Sequence, residues 1–413
     1  MDTYCTFTFV NEVLSVTDSL PPGRSSPKAG FSILLLAIAA FVTVTNEYIV
    51  VGLLPELAQS THTTIAQAGQ LVTLFAIAMM FCGPVLAVML SRVERKRLFV
   101  LLLFSFVISN ALTAIANNYW VLAGGRILSA LALSAFWGLA SDTAAQLAGP
   151  ERAGRAVSQF YFGVACALLF GLPLGTLLSH ALGWRAVFWT LSLLSLVTTA
   201  LFVFFLPRMD DMQTAPIRRQ LGILKKPWFV ANLLLSGMVY TTLFTVYTYL
   251  TDMIVHGGHI PSGQVGWWLM GFGGVGLVGN WVAGQLADRS LLRTTMLLMS
   301  IMALALATIL PLASISIVLF GIMLGLWGTT HTGLLLISVV RVMKAGAKAQ
   351  AFAGTLNVSA ANAGTAFGAM IGGLVISQYG ISRVGSFGAF LALFTVAITY
   401  GVIMLKRKEM GRT

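Results

Sequence analysis

Twelve apolar stretches, each about 20 to 28 residues long and divided by short loops of glycine, proline and charge, restrict what this chain can fold into. They lie near 31–54, 66–90, 98–116, 119–146, 154–179, 184–206, 228–255, 263–287, 293–313, 315–340, 348–376 and 383–405. Helices of that length cross a hydrocarbon layer of about 30 Å. Inside a bilayer every backbone polar group needs an internal partner, so only helices and closed barrels span it. Strand-like alternation is almost absent, which excludes a barrel and leaves an all-α membrane protein with twelve transmembrane helices. A chain of 413 residues with 57% hydrophobic residues, 9% charged residues and a mean hydropathy of +0.88 cannot be a set of soluble domains.

The net charge of +12 is spread through loops and forms no single nucleic-acid patch. With the N-terminus inside, 22 of the 25 Lys and Arg residues fall in internal segments. Only Arg185 and Arg383 fall outside, and Arg126 lies within a span. Positive charge stays on the cytoplasmic side, so this distribution predicts cytoplasmic termini. Residues 1–27 read as a disordered cytoplasmic leader, because no basic start and cleavage site precede the first span. The three cysteines lack metal-ligand spacing, and no metal site is expected.

A polar, basic loop at 207–227 separates two sets of six spans, 28–206 and 228–405, and a short cytoplasmic tail follows at 406–413. The sets are related at a constant offset: Gly171, Gly175 and Gly183 map to Gly368, Gly372 and Gly380. Residues 87–92 map to 284–289 in the same register. This is the pattern of a duplication into two six-helix bundles, with the solute site expected at their interface.

Glu47 lies in the first span and Arg126 in the fourth, eight residues before Pro55 and seven after Tyr119. At about 1.5 Å per residue both sit roughly 10 to 12 Å below the outer boundary, in register to pair or to share a water cavity. A charge at that depth marks function by default. Burial opposes the charged form of a carboxylate and a neighbouring arginine favours it, so a change in access between them moves a proton. Glu47 and Arg126 are therefore the proton-coupling candidates. The matching positions in the second half are Phe244 and Met323, so only one half carries the buried charges.

Asn46, Ser134 and Trp137 are the first-half cavity candidates, the last two on the Arg126 face. The second half offers Tyr240, Phe244 and Tyr247 at helical spacing, Trp327 and His331 four apart, and the amides Asn357 and Asn362. Rings and amides suit a polar or amphipathic solute. Asp142 is expected to pair with Arg92 or a nearby loop, and Asp252 to be hydrated. The G-x-G-x-x-G match at 271–276 lies within a span and follows no strand, so it is no dinucleotide site. No nucleophile with a base and an orienting group is evident, so no enzyme is indicated.

Gly284-Gln285-Leu286-Ala287-Asp288-Arg289 resembles the G-x-L-A-D-R loop of the major facilitator superfamily, and its first-half counterpart ends in Ser91-Arg92. Gly171, Pro173 and Gly175 resemble the glycine-proline signature of that superfamily's antiporters. With Gly52-Leu53-Leu54-Pro55 and Gly183-Trp184-Arg185, the chain looks like bacterial sugar-efflux transporters of the drug/proton antiporter branch. The resemblance implies alternating access in the bacterial inner membrane, with a sugar-like or drug-like solute exported in exchange for protons. It makes Arg92, Gly284, Asp288 and Arg289 a conformational latch, and Gly171, Pro173 and Gly175 a helix-packing element. It implies a monomer that meets a small solute, protons and lipid, with no cofactor beyond the proton gradient and no nucleic acid. A proton-independent uniporter or importer, and a non-transporting sensor, are the alternatives.

Overall fold

The computed structural model describes residues 27–90, 93–149, 152–207, 221–347 and 350–410. The expected leader, most of the central loop, the last tail residues and Arg92 lie outside the described residues. Among the described residues there is no strand. Twelve helical spans run in sequence: α1 (Pro27–Ser60), α2 (Ile65–Met89), α3 (Arg95–Ala114), α4 (Tyr119–Ala148), α5 (Ala153–Leu182), α6 (Trp184–Phe205), α7 (Pro227–Gly257), α8 (Val265–Ala287), α9 (Leu291–Ala313), α10 (Ile317–Ala345), α11 (Gln350–Tyr379) and α12 (Val384–Met410). Eleven of the twelve have the length and hydropathy of membrane spans; α8 is diluted by its glycines, its tryptophans and Asn280.

Local chemistry explains the boundaries. Thr64 and Gln67 bond each other's backbone N–H groups and open α2 with a reciprocal cap. The Asn118, Ser290 and Ser316 side chains cap α4, α9 and α10. Gly183 and Gly380 occupy the same left-handed backbone region, φ +84° and +76°, and turn the chain from α5 into α6 and from α11 into α12. These two glycines are the duplication's own matching positions. Two spans are locally unwound. A π turn at Ala167–Gly171 precedes Pro173 in α5, and α7 breaks after Tyr247 before a second π turn at Met253–Gly257.

Packing follows the duplication too. In the first half α1 lies on α5, where a Cβ added at Gly163 would stand 2.0 Å from the Ala37 carbonyl oxygen. In the second half α7 lies on α11, where a Cβ at Gly364 would stand 2.2 Å from the Gly237 carbonyl oxygen. Small residues let these backbones touch in a solvent that offers no hydrophobic drive between helices. The pairs α3–α6 and α9–α12 match in the same way, as do α2–α4 and α8–α10.

The two halves meet chiefly along two seams, α2 with α11 and α5 with α8, and α1 also touches α7. On α11, Gly373, Ala366, Asn362 and Thr355 fall on one line of the helix surface. At its upper end Gly373 abuts Gln70 and the Ala66 carbonyl, and the Ala366 carbonyl lies 3.5 Å from the Thr73 hydroxyl; at its lower end Thr355 is exposed. On α8 the line Gly266, Gly273, Leu277, Gly284 behaves alike. Gly266 abuts Leu177 and the Pro173 carbonyl, Gly273 abuts the Leu168 carbonyl, Leu277 is 45% exposed, and Gly284 faces open space. The halves therefore close at the end bearing the α1–α2 and α7–α8 turns and part toward the basic end. Tyr249, at the α7 break, seals the closed end: its hydroxyl donates to the Ala369 carbonyl at 2.8 Å and its ring covers Gly69.

Candidate central site

Arg126 and Glu47 come together, but in a different way from a side-chain ion pair. Arg126 is fully buried, and its guanidinium donates to the main chain of α1: Nη1 to the Asn46 carbonyl at 2.7 Å and Nη2 to the Glu47 carbonyl at 2.9 Å. Nη1 also approaches Asn46 Oδ1 at 3.4 Å, and the cation sits 4.2 Å over the Phe75 ring from α2. A planar fork with five donors meets two successive carbonyls through separate nitrogens while its face lies on a ring, a geometry an ammonium does not reproduce. The Asn46 amide donates to Asn110 of α3, whose own amide donates to the Phe106 carbonyl at 2.9 Å. Ser129, one turn from Arg126, shares a 2.7 Å hydrogen bond with Ser109. Arg126 thus fixes the backbone that carries Glu47 and leaves the carboxylate free. Asn110, Ser109 and Phe75 complete this network. The two polar residues interrupt an apolar span and were visible as such; nothing in the sequence singles out Phe75.

The Glu47 carboxylate is partly exposed and makes no hydrogen bond or ion pair with the described residues. Arg126, Tyr240 and Tyr247 lie within its electrostatic range. Beside it, rings from both halves converge. Tyr48 of α1 meets Tyr247 and Phe244 of α7 at centroid distances of 6.2 and 6.4 Å. Tyr247 stacks on His331 at 4.6 Å, Tyr240 lies parallel to Phe244 at 6.2 Å, and Phe272 of α8 meets Trp327 edge-on at 5.2 Å. Trp327 and His331 are buried, and Nε1 of the first and Nδ1 of the second have no partner among the described residues. Buried polar atoms are ordinarily satisfied; these two belong to a set of unpaired buried atoms among the described residues that also includes Ser338 Oγ and Arg341 Nε on α10. Tyr48 and Phe272 were not anticipated as members of this cluster, because ring residues in apolar spans read as lipid-facing or core until their partners are known.

The other expected cavity residues have contacts of their own. Ser134 donates to the Leu131 carbonyl at 2.8 Å on the α2 side of α4, and Trp137 packs edge-on against Phe160 at 5.9 Å and beside Tyr161 at 6.2 Å. Asn357 is buried and accepts from Ser236 of α7 at 2.6 Å; Asn362 donates within its own helix to Val358 at 2.9 Å. Gly171 and Gly175 pack on Thr45 and Ile49 of α1 around the π turn, while the Pro173 carbonyl belongs to the seam with α8. Asp288 and Arg289 are exposed at the end of α8. Asp142 pairs with Arg95 at 2.7 Å. Asp252 departs from expectation: it is buried and bonded at 2.7 Å to Nδ1 of His256, its neighbour at four-residue helical spacing. Among the described residues no group of His, Cys, Asp and Glu side chains could hold a metal ion.

Comparison with known proteins returns one consistent picture. A family model described as Major Facilitator Superfamily matches residues 36–347. The inner membrane transport protein YdhP of Escherichia coli O157:H7 is 30% identical over 386 residues, 92% of this chain and 97% of that protein, and the strain K12 protein matches equally. Among solved structures, a bacterial homologue of the human lysosomal transporter Spinster aligns in its inward-facing, unoccupied conformation with a TM-score of 0.72. That alignment covers 92% of this chain and 96% of the other, at 15% identity. The occupied form aligns with a TM-score of 0.73 at 14% identity, covering 92% and 98%.

Proposed function

The chain belongs to the major facilitator superfamily of transporters, and from that premise we propose that it exports a small amphipathic solute across the bacterial inner membrane in exchange for protons. The observation that carries the reading is the partly exposed Glu47 carboxylate, next to the ring cluster between the halves, on a clamped backbone yet free of any side-chain partner among the described residues. An acid that is partnered throughout the cycle cannot exchange its proton; one that faces the cleft can. The basic end of the molecule is the cytoplasmic one on the charge argument, which puts both termini inside and makes the present arrangement open to the cytoplasm. Asp288 and Arg289, with Gly284 facing open space, then form a latch that is undone in this state.

Chemistry narrows the solute. Sugar sites need amides and hydroxyls aimed at the ligand. Here Asn46, Asn110 and Asn357 are tied up between helices, and both terminal nitrogens of Arg126 are bonded to the main chain. What remains is dominated by aromatic faces and tyrosine hydroxyls, with one carboxylate, the Asn362 amide and the ring nitrogens of Trp327 and His331. That set favours an amphipathic solute, neutral or positively charged, over an anion or a bare polyol. The test is efflux of a panel of amphipathic cations and sugars from reconstituted vesicles, with and without an imposed pH gradient. Flux indifferent to the gradient would make the protein a uniporter; absence of flux for every solute would leave a non-transporting sensor.

A further inference from the structure

Tyr48 follows Glu47 on α1 and is the first-half residue whose ring enters the second-half cluster. It meets Tyr247 at 72° and Phe244 at 38°, from across the interface. The remaining surfaces of those two rings are already taken, since Tyr247 stacks on His331 and Phe244 lies parallel to Tyr240, 5° from coplanar. Tyr247 and Phe244 are each 4% exposed, while Tyr48 is only partly buried and its hydroxyl has no hydrogen bond with the described residues. Tyr48 is held by apolar packing and ring contacts, with no side-chain hydrogen bond among the described residues. The surfaces it covers are the ones a flat ligand entering from the basic end would need.

We propose that Tyr48 is an internal stand-in for the solute: its ring occupies, against Phe244 and Tyr247, the place that a flat apolar ring of the solute takes during transport. The ligand class that fits is a planar ring bearing a positive charge or a hydrogen-bond donor, with the ring on Phe244 and Tyr247 and the polar group toward Glu47. Exchanging one aromatic pair for another is nearly neutral in energy, so the cluster stays closed between cycles and still yields to the right shape. Displacement of Tyr48 acts on the residue next to Glu47, so ring binding and proton access change together. The proposal rests on the reading of this cleft as the solute site.

The test uses the full chain in lipid nanodiscs and the binding of ethidium, a flat aromatic cation, followed by its fluorescence. Removing the stand-in in Tyr48→Ala is expected to tighten ethidium binding about tenfold, since the competing ring contacts are gone. Tyr48→Phe, which keeps the ring, is expected to bind as the wild type does. Tetraethylammonium, a cation without a ring, should show no gain in Tyr48→Ala. Unchanged or weaker ethidium binding in Tyr48→Ala overturns the stand-in. Glu47→Gln separates the two levels: binding that depends on Glu47 but not on Tyr48 sinks the stand-in alone. Binding that ignores Glu47 in both backgrounds, or no binding by any variant, sinks the cleft reading and the stand-in with it.

Discussion

The two halves share a backbone plan and divide the chemistry between them. Each turns its fifth helix into its sixth at a left-handed glycine, Gly183 and Gly380, and each packs its fifth helix against its first through glycines that touch carbonyls. At the positions related by the duplication, however, Glu47 corresponds to Phe244 and Arg126 to Met323. Phe244 joins the ring cluster and Met323 merely accepts from the Thr308 hydroxyl at 3.2 Å. Even the basic-end corners differ. The first half closes its corner with the Arg95–Asp142 ion pair, whereas the second sets Arg341 against the neutral Thr295 at 3.0 Å. The second half folds without the central charges, so the six-helix plan itself does not require them. One half holds the acid and the other supplies the aromatic wall.

That division is easiest to break at its clamp. Replacing Arg126 by the second half's own residue, Arg126→Met, removes the donor to two carbonyls and the cation over Phe75. It should lower gradient-driven efflux about 100-fold and folding stability by about 3 kcal/mol, read from vesicle flux and denaturant melts. Arg126→Lys tests the fork itself: a point charge retains the electrostatics but loses the planar two-nitrogen fit to the carbonyls and the stacking on Phe75, so efflux should fall about tenfold.

The shared scaffold makes a complementary prediction. Gly163→Ala and Gly364→Ala each drive a methyl into a carbonyl of the neighbouring helix, and both should destabilise by about 1–3 kcal/mol in thermal unfolding. Similar losses in the two halves would confirm that the packing is symmetric where the chemistry is not. At the small end, Met323→Leu keeps volume and loses only a sulfur contact, so stability should fall by less than about 1.5 kcal/mol with flux nearly unchanged. Gly284→Ala meets nothing within 4 Å and should shift stability by less than about 0.5 kcal/mol.

Span number, the duplication and the shared depth of Glu47 and Arg126 were legible in the sequence, because bilayer thickness and helical rise convert position into depth. What Arg126 bonds to was not. Spacing along two helices says that side chains share a level, but the choice between a carboxylate and a pair of carbonyls depends on the rotation of α1, which Asn46, Asn110 and the glycines of α5 set together. Asn357 looked like a cavity amide for the same reason: polarity inside a span identifies a hydrogen bond, not its direction. Asp252 was misplaced because its position near the outer mouth of the span suggested water, although His256 stands at the ordinary four-residue helical spacing from it. Tyr48 stood in plain view next to Glu47, and only the approach of the second half gave its ring a partner.

The central claim is that one carboxylate, in one half, couples solute to protons. It is tested most directly by measuring two modes of transport in vesicles containing Glu47→Gln. Gradient-driven efflux requires the acid, whereas solute-for-solute exchange requires only the cleft and the rocking of the halves. The account predicts that exchange persists while efflux driven by an imposed pH gradient is lost. Gradient-driven efflux at the wild-type rate in Glu47→Gln would contradict it.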